Sequence, residues 1–328
     1  MTKIRLNLLD NGIDYIYEAV ASILKKHDKS EHSLKYSVLH LYSGIELLLK
    51  EKLRQEHWSL IFQDISSANS KKLESGDFVS VYHDELIKRL QNISKVSLND
   101  EPIKKIRDLR NRLEHFEVNI SLSECQHIVA AALDEIIKFW ETYFKDVSTV
   151  HQQKKFQIIK SIATEFEAYK QQRLNKFQSA ISGIVESKKG VIVLCPDCSS
   201  LSFAVFKDDE KECKCFVCDE KYRKDQYLKN IRNLEENESP LLSSSGWMLY
   251  NTICPSCQKN TRIKYQISDE MDLYCCLNCL NEEKIDLTAV YKELVKAFQY
   301  KLTTKEIHQL AIDIQKSRKK LMSKNIYK

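Results

Sequence analysis

The chain has 328 residues, 43% apolar and 30% charged, which excludes a disordered polymer and allows two domains. Six Gly and four Pro in that length favour long helices over tight turns. No apolar run approaches the roughly 20 residues that span a bilayer, and the opening MTKIRLNLLDNG lacks a signal-peptide core, so the expectation is a soluble cytoplasmic protein with reduced thiols and no membrane partner.

Residues 1–147 read as helical throughout. A first helix is expected near IDYIYEAVASILKK. In EHSLKYSVLHLYSGIELLLKEKL, Leu34, Val38, Leu41, Ile45, Leu48 and Leu49 recur every three to four residues, the period of a helix with one buried stripe. A third helix, around VYHDELIKRLQNI, places Leu86 and Leu90 four apart. The fourth follows SLNDEP, with Asp100 as its expected N-cap and Pro102 in its first turn. The fifth begins at the capping-box pair Ser121 and Glu124 and carries the stripe Ile128, Ala132, Ile136, Phe139 and Tyr143. Five such helices bury their stripes best as an antiparallel bundle. Residues 148–187 are polar with sparse helical periodicity and read as one long connecting helix, free to pack against the bundle or a second protomer.

At Val191 the character changes. Runs such as VIVL and SFAVF predict short strands, and ten of the eleven cysteines lie between Cys195 and Cys279. Cys195 and Cys198 form one CxxC turn and Cys215 and Cys218 a second; Cys254 with Cys257 and Cys276 with Cys279 repeat the pattern about 60 residues later. Each CxxC turn can present two thiolates to one ion, and four thiolates in a tetrahedron select Zn²⁺. The spacing therefore predicts two small β-rich zinc ribbons, over 188–232 and 245–286, holding two structural zinc ions. Cys213 and Cys275 fall outside the CxxC register and are read as spares. A C-terminal helical tail over 287–328 carries ten Lys and Arg against three Asp and Glu, a balance suited either to a polyanion partner or to a solvated, lysine-rich helix face.

The remaining chemistry lies in RDLRNRLEH, residues 107–115. At about 100° per residue, Ile103, Ile106, Leu109, Leu113 and Phe116 form the apolar stripe of this helix. Arg110 sits at the stripe's edge, with Glu114, Asn111 and His115 continuing round from it. A guanidinium suits a phosphate, and an imidazole can give or take a proton near neutral pH. The plain alternative is a solvated helix face with Arg and Glu in i,i+4 pairs.

RNRLEH resembles the Arg-polar-x3-His signature of the HEPN superfamily, and YSVLHLYSGIELLLKEKL is similar to that family's second helix, with Glu46 and Lys50 at its acidic and Lys positions. The resemblance covers residues 1–147. It implies a metal-independent endoribonuclease in which Arg110, Asn111 and His115 are catalytic and Glu46, Lys50 and Glu114 support them. It also implies a homodimer with a composite site, RNA as substrate, a trigger protein or antitoxin as a further partner, and a role in defence or as a toxin-like effector. A non-catalytic scaffold or sensor built on the same dimer and ribbons is the rival expectation.

Overall fold

The computed structural model describes residues 6–24, 31–187, 189–206, 212–227, 229–230, 247–249, 254, 256–258, 262–268, 271–277, 279 and 282–286. The expected basic tail over 287–328 lies outside them. Among the described residues the chain is mainly helical and ends in two small sheets. It divides into two compact units, one comprising Met1–Ala180 with Cys215–Asp219, the other Ile181–Lys214 with Glu220–Lys328.

The helices are α1 (Leu8–Leu24), α2 (Glu31–Glu56), α3 (Ser70–Ser75), α4 (His83–Asn92), α5 (Asp100–His115), α6 (Leu122–Tyr143), α7 (Val150–Ala163) and α8 (Glu167–Glu186), all in the first unit but for the end of α8 from Ile181. The predicted stripe of α2 is buried, with Val38, Leu41, Ile45, Leu48 and Leu49 inside the core. That core also takes Ile13 and Ile16 from α1, Ile103, Ile106 and Leu109 from α5, and Leu133, Ile136 and Trp140 from α6. Burying side chains of this size yields about 1.5–3 kcal/mol each, which is why stripes dominate the local preferences.

Helices α1 and α2 meet at two glycines. A Cβ on Gly12 would lie 2.3 Å from Leu48 Cδ1, and one on Gly44 would lie 2.6 Å from Ile16 Cγ1 and 2.8 Å from the Gly12 carbonyl oxygen. The backbones approach too closely for any side chain here.

Three elements differ from the sequence expectation. The stretch 148–187 is two helices, because Thr149 and Gln152 form a capping box that starts α7 and the chain turns at Thr164 before Glu167 starts α8. Phe156, Ile159, Ala163, Phe166 and Tyr169 join the core of the first unit, so this segment does more than connect. Asn99, not Asp100, caps α5, its side chain accepting from the Glu101 N–H; the Asp100 carboxylate instead accepts from His83 Nε2 at 3.0 Å. Between α2 and α4 the chain forms short 3-10 turns at Trp58–Ile61 and Ile65–Ser67, and α3. Arg89, 9% exposed, secures that region by donating to the Leu60, Phe62 and Gln63 carbonyls.

The second unit carries the strands, except for Cys215 at the end of one of them, which belongs to the first. β1 (Gly190–Leu194), β2 (Leu201–Phe206), β3 (Cys213–Cys215) and β4 (Lys221–Tyr222) form one sheet in sequential order. β5 (Trp247–Leu249), β6 (Arg262–Ser268), β7 (Met271–Cys276) and β8 (Glu282–Asp286) form another with the same order. In both, a CxxC turn follows the first strand and another the third. The sequence repeat is thus a repeat of topology.

The glycine contact gives a direct test. Gly44→Ala should destabilise the protein by about 1–3 kcal/mol, the range for forced overpacking, read as a lower urea midpoint. Gly183→Ala, on α8 with nothing within 4 Å of the added Cβ, should be neutral or stabilising by up to about 1 kcal/mol. Equal effects at both positions would show that the α1–α2 contact is not what Gly44 serves.

Candidate functional site

Helix α5 is held from several sides before its polar face becomes available. Ile103, Ile106 and Leu109 are buried in the core. Arg107 Nη1 donates to Asp84 of α4 at 2.8 Å, and His83 of α4 meets Asp100. The hydrogen bonds from His83 and Lys104 outweigh burial and hold the Asp100 carboxyl below the usual range. An anchored helix keeps its outward side chains at fixed angular positions.

Arg110 lies at the edge of that seam. Its Nη1 donates to Glu114 at 2.9 Å and to the Asn111 side-chain oxygen at 3.0 Å. Its guanidinium carbon sits 5.8 Å from the centre of the Tyr42 ring on α2, a cation–π contact. Arg110 Nε is buried and has no hydrogen-bond partner among the described residues. His115 is 66% exposed in its side chain, and its Nε2 lies 3.8 Å from the Glu114 carboxylate. Arg110, Asn111, Glu114 and His115 thus share one accessible surface, with Glu114 between the guanidinium and the imidazole.

Tyr42 is a residue that the sequence reading missed, although it stands one helical turn before Glu46. It is 4% exposed. Burial first, then the Glu46 carboxylate, pushes its phenol well above the ordinary range, against the opposing pull of Arg107 and Arg110. A phenol so shifted stays protonated at neutral pH; Tyr42 supports the arginine and is not a base.

Glu46 and Lys50 belong to another connection. Lys50, 8% exposed, donates to Glu46 at 2.6 Å and to Ser80 Oγ at 2.8 Å, bridging α2 to the segment before α4. Among the described contacts Glu46 pairs with Lys50 and not with Arg110. Phe116 departs from its expected place in the apolar stripe. The helix ends at His115, Phe116 takes extended backbone angles of φ −143° and ψ 174° as the C-cap, and its side chain is 79% exposed.

The cysteines assemble as their spacing predicts. The sulfurs of Cys195, Cys198, Cys215 and Cys218 lie within 4.8 Å of one another, as do those of Cys254, Cys257, Cys276 and Cys279. Cys254 to Cys279 and Cys257 to Cys276 are each 3.6 Å apart, close to the roughly 3.8 Å edge of a tetrahedron with Zn–S bonds of about 2.3 Å. In the first group the Val217 and Cys218 N–H groups point to Cys215 Sγ at 3.3 and 3.4 Å, softening thiolate charge from the outer shell. Cys213 is buried but outside the group; the Cys275 side chain lies outside the described residues. Four thiolates fit zinc and leave no open position for a substrate water.

Two zinc ions per chain are therefore expected by metal analysis of purified protein, and one in Cys198→Ser or Cys257→Ser. Because structural zinc contributes folding free energy, each substitution should also lower the thermal stability of its own ribbon. A wild-type content of one or none would count against paired four-thiolate sites.

Among the described residues no helix is long and apolar enough to cross a membrane. Comparison of the whole chain with protein-family models, with curated proteins and with solved structures returns no match.

Proposed function

We propose that the chain is a metal-independent endoribonuclease of HEPN type, acting as a homodimer in defence or as a toxin-like effector. The observation that carries this reading is the shared accessible surface of Arg110, Asn111 and His115 on an anchored α5.

The chemistry uses these side chains economically. One imidazole takes the proton of a ribose 2′-OH, whose oxygen attacks the adjacent phosphorus. The P–O5′ bond breaks as a second proton donor protonates the leaving oxygen. The Arg110 guanidinium faces the charge that grows on the non-bridging oxygens, and Asn111 holds a phosphate oxygen or orients the ring. One chain supplies one such histidine, so a second protomer provides the other; dimerisation is part of the reaction. The zinc ribbons and the +7 tail capture RNA or receive a trigger protein or antitoxin.

One observation favours the rival reading, a non-catalytic scaffold. The Arg110–Glu114 pair over Tyr42 is also what a purely structural helix surface would contain.

Cleavage of total RNA in EDTA separates the two. Wild type should leave 2′,3′-cyclic phosphate and 5′-hydroxyl ends. Arg110→Ala and His115→Ala should each slow cutting by about 10²–10⁴-fold, the worth of a positioned acid–base group or charge donor, with unchanged far-ultraviolet circular dichroism. Mixed heterodimers of the two variants recover cutting only if one arginine and one histidine suffice. Metal dependence, 3′-hydroxyl products or full activity in His115→Ala would return the scaffold reading.

A further inference from the structure

Beside the motif, the first unit contains a groove of about 480 Å³. It runs between the start of α2 and the end of α5 and continues along the 116–121 loop to the start of α6. His32, Lys35, Leu113, Phe116, Asn119 and Ser121 are among its lining residues. Its volume is in the range of small-ligand sites, and three of its features point to the same ligand.

The first is Phe116. Phe116 is 79% exposed as a residue and so forgoes much of the roughly 1.5–3 kcal/mol that its burial would yield, and an exposed aromatic ring is what a nucleobase stacks on. The second is charge: Lys35 makes the lining cationic, and no carboxylate is among the described residues that line the groove. The third is polarity, since Asn119 offers an amide to a base edge and the Ser121 hydroxyl, which accepts from the Glu124 N–H, still has a proton to donate.

We infer that this groove binds one nucleotide of single-stranded RNA, with its base stacked on Phe116 and its phosphate facing Lys35. A duplex base has both faces covered and could not stack there. The inference rests on the endoribonuclease reading for its purpose, because Phe116 directly follows His115 and a nucleotide held there would lie beside the reacting phosphate. It does not rest on that reading for its chemistry.

The test measures binding without cutting. A 5′-labelled 12-nucleotide single-stranded RNA is titrated into His115→Ala protein in EDTA, then into the same protein carrying Phe116→Ala, Phe116→Trp or Lys35→Ala. Phe116→Ala should raise Kd about five- to a hundredfold, the range for one lost stack, and Phe116→Trp should restore it. A duplex of the same length should be indifferent to both substitutions. Lys35→Ala should flatten the salt dependence by about 0.7 in the log–log slope, one counterion on a single strand.

An unchanged Kd in Phe116→Ala, no rescue by Phe116→Trp, or no measurable binding by the His115→Ala parent would overturn the inference. So would dissociation of an oligomer by Phe116→Ala in sedimentation velocity, which would make this face a contact between copies of the chain. The two readings fail separately. Phe116-dependent binding by a wild type that never cuts RNA sinks the nuclease alone, whereas cutting with Phe116-independent affinity sinks the groove alone.

Discussion

The guanidinium of Arg173 on α8 is 4% exposed and touches three parts of the first unit. Its Nη1 donates to Asp134 of α6 at 2.8 Å, its Nε donates to the Phe216 carbonyl at 3.0 Å, and its Nη2 forms an ion pair with Asp219. The ring of Phe177 lies 4.9 Å beneath it, and Phe216 packs against Phe177. Asp134 is equally buried and receives a second cation from Lys176. Once such a charge is buried, each partner becomes necessary: removing one leaves an ion without compensation, at a cost of about 3–5 kcal/mol. The segment Cys215–Asp219 therefore belongs to the helical unit, although it contributes two thiols to a four-sulfur group.

That placement bears on how metal and fold are linked. A CxxC turn needs its N–H groups aimed at sulfur, and here the Phe216 carbonyl and Asp219 carboxylate are already fixed by Arg173. Half of the first group's ligands are thus preorganised by interactions that involve no metal, which reduces the ordering entropy a metal must offset. In the second group the Gln258 N–H donates to the Cys254 carbonyl at 2.8 Å, closing the first CxxC turn beside its sulfur contacts.

What was legible in the sequence follows from range. The stripes of α2, α5 and α6 repeat within a few residues, and burial of Leu41, Ile106 or Ile136 dominates any other local preference, so period alone predicts these helices. The four-cysteine groups were legible because a CxxC turn is itself a local structure. The region between α2 and α4 was not, since its shape depends on Arg89 reaching carbonyls 26 to 29 residues away. The Arg173 contacts to Phe216 and Asp219 span still more chain. The α7–α8 break did have a local signal, Thr149 with Gln152, hidden by the polar composition around it. In the motif, the wheel placed Arg110, Asn111, Glu114 and His115 together; it could not show that α5 stops at His115, which is what turns Phe116 outward.

The contacts of Arg110 also bear on how ready the site is for an anion. A guanidinium with no partner at all would be poorly held, and one locked in a buried pair could not leave it without a large penalty. Arg110 lies between these limits. Its Glu114 partner is partly exposed, with side chains 30% and 32% accessible, so the pair is worth at most about 1 kcal/mol and can be exchanged for a phosphate. The Tyr42 ring, 5.8 Å from the guanidinium carbon, makes a cation–π contact and offers no second carboxylate. Burial keeps that phenol neutral, so it adds no rival charge. The Arg110 Nε is buried without a hydrogen-bond partner among the described residues, and the side chain as a whole is 30% accessible. An anion arriving from solvent therefore has only a weak, screened partner to displace.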